Sequence, residues 1–257
     1  MPSTHSANIE TIGNNSGTYR RLHQLLSPGP ELDLHCRNTQ ARAEVERYIG
    51  QQFQAAYGAT VSDFLPLILS LTCNDKLAAV TGICAAGSHP LFLEQYLSSS
   101  IEDEISRISF QTVKRSNIAE IGNLAATQRG SSQLLFVLLA AILHRANLEW
   151  LVFTATPLVQ KTISKLGFEL YPIAEAFPLR SSKSSVQDWG SYYETKPMVV
   201  AGHLSDAMDT INSRSVLRGM LSLYQNRIDV MANLISNQTR NPVTNDNDFY
   251  AQHYFAA

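Results

Sequence analysis

Residues 134 to 143 read LLFVLLAAIL, ten apolar residues without a break, followed at once by His144 and Arg145. The run is half the roughly 20 residues that a membrane span needs, so a buried core helix is the better reading. A helix that is apolar all round has no face to give to water, so protein must cover it on both sides. β-rich stretches bracket the run, at 117 to 125 and again at 149 to 156 (EWLVFTAT). A strand, an apolar helix and a second strand in succession point to an α/β architecture with this helix inside it.

The surrounding chain extends that pattern. TQARAEVERYIGQQFQAAY (39 to 57) spaces Val45, Tyr48, Ile49 and Phe53 as one helical face and meets a stop at Gly58. FLPLILSLTCND and KLAAVTGICAAG are strand-like runs that meet at Asn74 and Asp75, residues suited to a hairpin turn. After the fourth strand, Pro157 fits the first position of a helix, LVQKTISKL continues it, and Gly167 ends it before a short strand FELYP. KPMVVAG reads as a last strand. Residues 204 to 238 read as helix, with Leu217, Met220, Leu221, Tyr224, Met231, Leu234 and Ile235 on a broad stripe. The expectation is a mixed, mostly antiparallel sheet flanked by helices. The chain divides into three sections: a flexible, polar N-terminus over 1–17, a main α/β domain over 18–202, and a C-terminal helical extension and tail over 203–257. The stripe packs on its own domain or forms a homodimer, and the first is preferred. No internal repeat is evident.

Composition removes several classes of function. The formal net charge is −2 over 257 residues and no Lys/Arg block occurs, so no nucleic acid is expected as a partner. Cys36, Cys73 and Cys84 form no CxxC pair and read as free thiols. The first twenty residues have neither a basic nor an apolar signal region, and a cytoplasmic location is expected. The seven histidines have no HxH or HxxxH spacing, so no metal site is expected. GSSQ lacks the G-x-S-x-G elbow, which disfavours hydrolase chemistry.

Glu120 and Asn123 stand out, because a core strand carries buried charge or amide only where it has a partner or a task. Strand alternation places them on opposite faces, one toward a cleft and the other toward a neighbouring loop. Just beyond, Gly130, Ser131 and Ser132 open the apolar helix. They either turn its first N–H groups toward a pyrophosphate or serve as an ordinary cap.

Five motifs in order, LFLEQYL (91 to 97), EIGNLA (120 to 125), WLVFTAT (150 to 156), LGF (166 to 168) and WGSYYETKPMVVAG (189 to 202), resemble the thermostable hemolysin family; YGATVSDFLPLILSL also fits it. That family is similar in fold to GNAT acyltransferases and in layout to acyl-homoserine lactone synthases. The resemblance implies an N-acyltransferase that moves an acyl group from an acyl-CoA or acyl-carrier-protein thioester to a small-molecule amine acceptor. In such folds the strand before the central helix splays from its neighbour and the acyl-pantetheine arm lies in the opening. The corresponding positions here are Asn123, Leu124 and Ala125 for the arm, and Arg129, Gly130, Ser131 and Ser132 for the phosphates. The family pattern also implies an arginine in the GICAAG strand and another just inside the central helix, where this chain has Cys84 and Gln133.

Each candidate residue has a catalytic or binding role beside a plainer one. Glu120 is a general base or a structural carboxylate. Tyr192 and Tyr193 are general acids for the leaving thiolate, only one facing inward if the segment is a strand, or packed aromatics. Glu94 binds the acceptor amine or makes a salt bridge, Trp189 is a substrate platform or a packed ring beside a tight turn at Gly190, and His203 is a minor base candidate. Two rivals to acyl transfer exist. One is a membrane-active or lipid-binding protein without catalysis, although the helices at 39 to 57 and 204 to 238 lack the basic face of interfacial helices. The other is a degenerate acyltransferase fold kept as a binding module, to which Cys84 and Gln133 lend support.

Overall fold

The computed structural model describes residues 29–37, 39–87, 90–128, 130–178 and 188–240. The section 1–17, Arg129 and the end of the tail lie outside these residues.

Seven strands form one sheet: β1 (Glu31–His35), β2 (Leu67–Cys73), β3 (Lys76–Ala85), β4 (Ile118–Ala126), β5 (Trp150–Ala155), β6 (Tyr171–Glu175) and β7 (Met198–His203). Their order across the sheet is β1-β2-β3-β4-β5-β7-β6. Every neighbouring pair is antiparallel except β4 with β5, which are parallel. The hairpin between β2 and β3 turns on Asn74 and Asp75, both at positive φ (51° and 59°), the conformation that a two-residue type I′ turn requires. Among the described residues six α-helices flank the sheet: α1 (Gln40–Tyr57), α2 (Ile101–Ser109), α3 (Ser131–Arg145), α4 (Pro157–Lys165), α5 (Leu204–Ser213) and α6 (Ser215–Arg240). The mixed, mostly antiparallel sheet with flanking and C-terminal helices is the architecture expected from the sequence.

The apolar run fixes the layering. Every residue from Leu134 to Leu143 is buried in a cluster that joins sheet residues such as Ala119, Ile121 and Phe153 to Ile211 of α5 and to Met220, Tyr224, Ile228, Met231 and Ile235 of α6. α3 therefore lies between the sheet and the C-terminal helices, which is how an all-apolar helix is covered. On the opposite face, α1 packs Val45, Ile49 and Phe53 against Ile68, Val80 and Ala125, and α2 packs Ile101 and Ile105 beside Leu93 and Ile118. α1 thus spends its apolar face inside the molecule, whereas α6 buries Met220, Tyr224, Ile228, Met231 and Ile235 but leaves Leu223, Val230 and Leu234 exposed. No helix among the described residues is long and apolar enough to cross a membrane.

Several local expectations need correction. The strand expected at FELYP (168 to 172) is displaced to Tyr171–Glu175, because its register is set by β7, with Tyr171 opposite Ala201. As the edge strand it tolerates Pro172, which a central strand would not. The single helix expected over 204 to 238 is two, parted at Arg214, whose backbone is extended (φ −107°, ψ 111°). Within the stripe, Leu234 is 44% exposed while Ile228 and Ala232 are buried in its place. β1 and α2 were not expected. β1 is a five-residue edge strand, and α2 is a nine-residue helix started by Ser100, whose hydroxyl accepts from the Asp103 N–H.

Candidate functional site

β4 and β5 pair only over Ile118–Ile121 and Trp150–Phe153, although β4 runs on to Ala126 and β5 to Ala155. The two strands part at Gly122. The cause is local: the β3–β4 register shifts between Val80 and Gly82, and Asn123 stands at positive φ (50°), the backbone of a β-bulge. An asparagine tolerates that conformation better than most residues.

The bulge also corrects the expectation that Glu120 and Asn123 face apart, since one extra residue breaks strand alternation and both line a single cavity of about 100 Å³ at the parting. Asn123 works as a clamp there. Its Oδ1 accepts from the Leu65 N–H at 3.0 Å and its Nδ2 donates to the Asp63 carbonyl at 3.2 Å, holding the loop between α1 and β2 over the opening. Gly82 leaves room for the clamp, because a Cβ there would lie 2.8 Å from Asn123 Oδ1 and 2.9 Å from Leu65 Cβ.

Glu120 is 3% exposed. Its Oε2 accepts from the Phe92 N–H at 2.8 Å and its Oε1 from the Leu93 N–H at 3.0 Å, fastening the start of a 3-10 turn (Phe92–Tyr96) to the sheet. Burial pushes its pKa up to about 8, against the opposing effect of the two N–H donors; the Glu94 carboxylate raises it further and Arg115 lowers it. Each carboxylate oxygen keeps a second lone pair, so both structural bonds leave acceptor capacity toward the cavity.

Aromatic rings form much of the wall. Phe53 and Tyr57 come from α1, Phe92 and Tyr96 from the 3-10 turn, and Trp189 and Tyr192 from the segment before β7. Trp189 lies 5.9 Å from Phe92 and 5.4 Å from Tyr192 between ring centroids, and Tyr57 meets Tyr192 edge-on at 5.3 Å. The last segment is stapled to the end of α1: the Thr60 N–H donates to the Asp188 carbonyl at 2.6 Å and the Ser191 N–H to the Tyr57 carbonyl at 2.9 Å. Gly190 (φ 50°) permits the approach, since a Cβ there would run into the Tyr57 carbonyl oxygen.

Tyr192 and Tyr193 do not alternate as strand residues, because they open a 3-10 turn (Tyr192–Thr195). Tyr192 lines the cavity; Tyr193 stands behind the wall, its hydroxyl 2.7 Å from that of Tyr96. Burial raises the pKa of all three phenols, with neighbouring phenols adding to the rise for Tyr96 and Tyr192, whereas the Tyr96 bond partly offsets it for Tyr193. Such groups stay protonated and act as hydrogen-bond donors.

The other expected residues lie apart from the cavity or touch it only in part. Glu94 is held by Arg115 (2.7 and 2.8 Å) and accepts from the Leu91 and Ile101 N–H groups. Burial alone would raise its pKa, but Arg115 and these donors outweigh it and hold the carboxyl below its usual range. Leu124 lines the cavity, whereas the Ala125 side chain is buried under α1. Gly130 (φ 88°) takes the N-cap position of α3 and no side chain caps the helix. Ser131 is fully buried, and its hydroxyl donates to the Ala78 or Gln128 carbonyl, so it ties α3 to β3 and is not itself the cap. Ser132 stands next to it in the first turn. Cys84 is buried within β3. His203 lies outside the cavity, with Nδ1 3.0 Å from Asp206 and its ring beside Trp150. Among the described residues no group of three or more His, Cys, Asp or Glu is placed to hold a metal ion.

Tyr57, Phe92 and Tyr96 were not singled out from sequence. Tyr96 sits two residues after Glu94 in LFLEQYL, but nothing in that spacing reveals that Glu120 pins the turn and aims Phe92 and Tyr96 inward.

A family model described as thermostable hemolysin matches residues 35–208. No curated protein matches the chain. Among solved structures, the acyl-homoserine lactone synthase LasI is 14% identical, with a TM-score of 0.47 over 68% of this chain and 90% of its own. FeeM, an N-acyl amino acid synthase from uncultured soil microbes, is 14% identical, with a TM-score of 0.46 over 72% of this chain and 96% of its own. BjaI, a CoA-dependent acyl-homoserine lactone synthase crystallised with SAM and isopentyl-CoA, is 11% identical, with a TM-score of 0.45 over 80% of this chain and 100% of its own.

Proposed function

We propose that this chain, which belongs to the thermostable hemolysin family, transfers an acyl group from a thioester to an amine, with Glu120 as the proton acceptor. The observation that carries the reading is the position of Glu120. It is a buried carboxylate with a pKa near 8, on the wall of a cavity that opens where β4 leaves β5. A base poised near neutrality and screened from water is suited to removing a proton from an ammonium ion.

In the proposed reaction the acceptor enters as its ammonium form and gives one proton to Glu120. The freed amine nitrogen attacks the thioester carbonyl, forming the C–N bond. Collapse of the tetrahedral intermediate breaks the C–S bond, and the second nitrogen proton goes to the departing sulfur. The products are the amide and the thiol, and Glu120 returns its proton to solvent. The thioester is placed along the edge of β4 beyond Ile121, where the strand has no partner on the β5 side and its backbone can pair with pantetheine amides and with the developing oxyanion. Tyr192, protonated and facing the cavity, is the relay assigned to that second proton: its hydroxyl gives its proton to the leaving sulfur and takes the nitrogen's proton in return. The first turn of α3, uncapped by any side chain, is the assigned seat for the donor's phosphates. Donor identity, CoA or acyl carrier protein, belongs to the test.

Purified protein titrated with CoA, a series of acyl-CoAs and acylated carrier protein, followed by native mass spectrometry, checks donor binding. A saturable adduct with at least one of them is expected. The absence of an adduct with all three would sink the proposal.

A further inference from the structure

The cavity is chemically one-sided. Asp63 and Glu120 are its acidic residues, and among the described residues no Lys, Arg or His lines it. The rest of the wall is rich in aromatic rings, with Trp189 set 5.4 Å from Tyr192, 5.9 Å from Phe92 and 6.3 Å from Phe53. Rings arranged about a space that also holds a carboxylate attract organic cations, whose charge interacts with each ring face. Anions meet the opposite condition: where Glu120 is ionised, a substrate carboxylate inside would lie against it with no cationic side chain among the described lining residues.

Building on the acyltransfer reading above, we infer that the acceptor is an amine without a carboxylate, bound as its ammonium ion between the aromatic wall and Glu120. Alkylamines and arylalkylamines fit that description; α-amino acids do not. The selection rests on what the wall lacks as much as on what it contains. Asn123 and Gly82 matter indirectly, because they hold Leu65 and Asp63 over the opening.

The test uses a pair of probes that differ only by the carboxylate, 2-phenylethylamine and phenylalanine, and titrates each into the full chain by calorimetry at about pH 8.5, where Glu120 is largely ionised and an alkylamine is still largely an ammonium ion. The amine is expected to bind and phenylalanine to bind about 100-fold more weakly, the scale of leaving a charged group uncompensated in a buried site. Trp189→Leu is expected to weaken the amine about tenfold through loss of its cation–π face, with the fold checked by circular dichroism. Phenylalanine binding within about tenfold of the amine, or no binding of the amine, would overturn the inference. Product analysis with thioester donors separates the two proposals. N-acylation of phenylalanine as fast as of the amine refutes the acceptor assignment and leaves acyltransfer standing. Amine binding with no amide product from any thioester refutes acyltransfer and leaves an ammonium-binding site.

Discussion

At the scale of single residues, Glu120 couples structure to chemistry. Its pKa is raised from 4.5 to about 8, so the folded protein binds this proton more tightly than the unfolded chain does. That contribution to stability is fully present below the unfolded pKa and is lost as pH rises toward 8. The melting temperature of the wild type should therefore fall relative to Glu120→Gln between about pH 5 and about pH 9, read from paired thermal scans. A flat difference would show that the carboxyl is not perturbed. Asn123 makes a different prediction. Alanine there leaves the Leu65 N–H and the Asp63 carbonyl without their partner and adds strain at φ 50°, so Asn123→Ala should cost about 1–3 kcal/mol in chemical denaturation. The sequence marked both residues, because a carboxylate and an amide in a core strand demand an explanation. It could not assign their directions, because the bulge comes from a shift in the β3–β4 register that local alternation does not encode.

At the scale of elements, the site depends on how short segments are fastened. The segment 188–195 reaches α1 through Gly190, and a methyl group there meets the Tyr57 carbonyl oxygen while the backbone needs φ 50°. Gly190→Ala should cost about 1–2 kcal/mol and move the Trp189 emission to the red as the aromatic wall loosens. Unchanged fluorescence and stability would show that the staple is dispensable. Arg115 has the same kind of role beneath the 3-10 turn, where it joins Glu94 to Glu102 at 2.7 Å each. The helix at 40 to 57, the hairpin at Asn74 and Asp75 and the tight turn at Gly190 were legible because local chemistry decides them. β1 and the true register of β6 were not, since each is short and placed by a partner distant in sequence, and α2, although Ser100 caps it locally, is only nine residues long.

At the scale of the whole molecule, α3 links the site to the C-terminal helices. The family match ends at residue 208, yet α6 supplies Met220, Tyr224, Ile228, Met231 and Ile235 to the far side of α3. Ile228→Ala should cost about 2–5 kcal/mol despite lying outside the matched segment. The all-apolar run already required such a cover, so this packing was legible in kind, though the break at Arg214 was not. The site is backed by α3 through Phe136, whose ring lies 6.5 Å from that of the cavity-lining Phe153, and its roof is made of loops tied down by Glu120, Asn123 and Gly190. Its central chemical claim is that Glu120 accepts the proton in acyl transfer. The decisive measurement is amide formation from an acyl thioester and 2-phenylethylamine, monitored by mass spectrometry against pH for the wild type and for Glu120→Gln. A proton-accepting Glu120 predicts a wild-type rate that rises to a plateau above about pH 8, and a variant at least about 100-fold slower without that rise. Equal rates and equal pH profiles for the two proteins would contradict it.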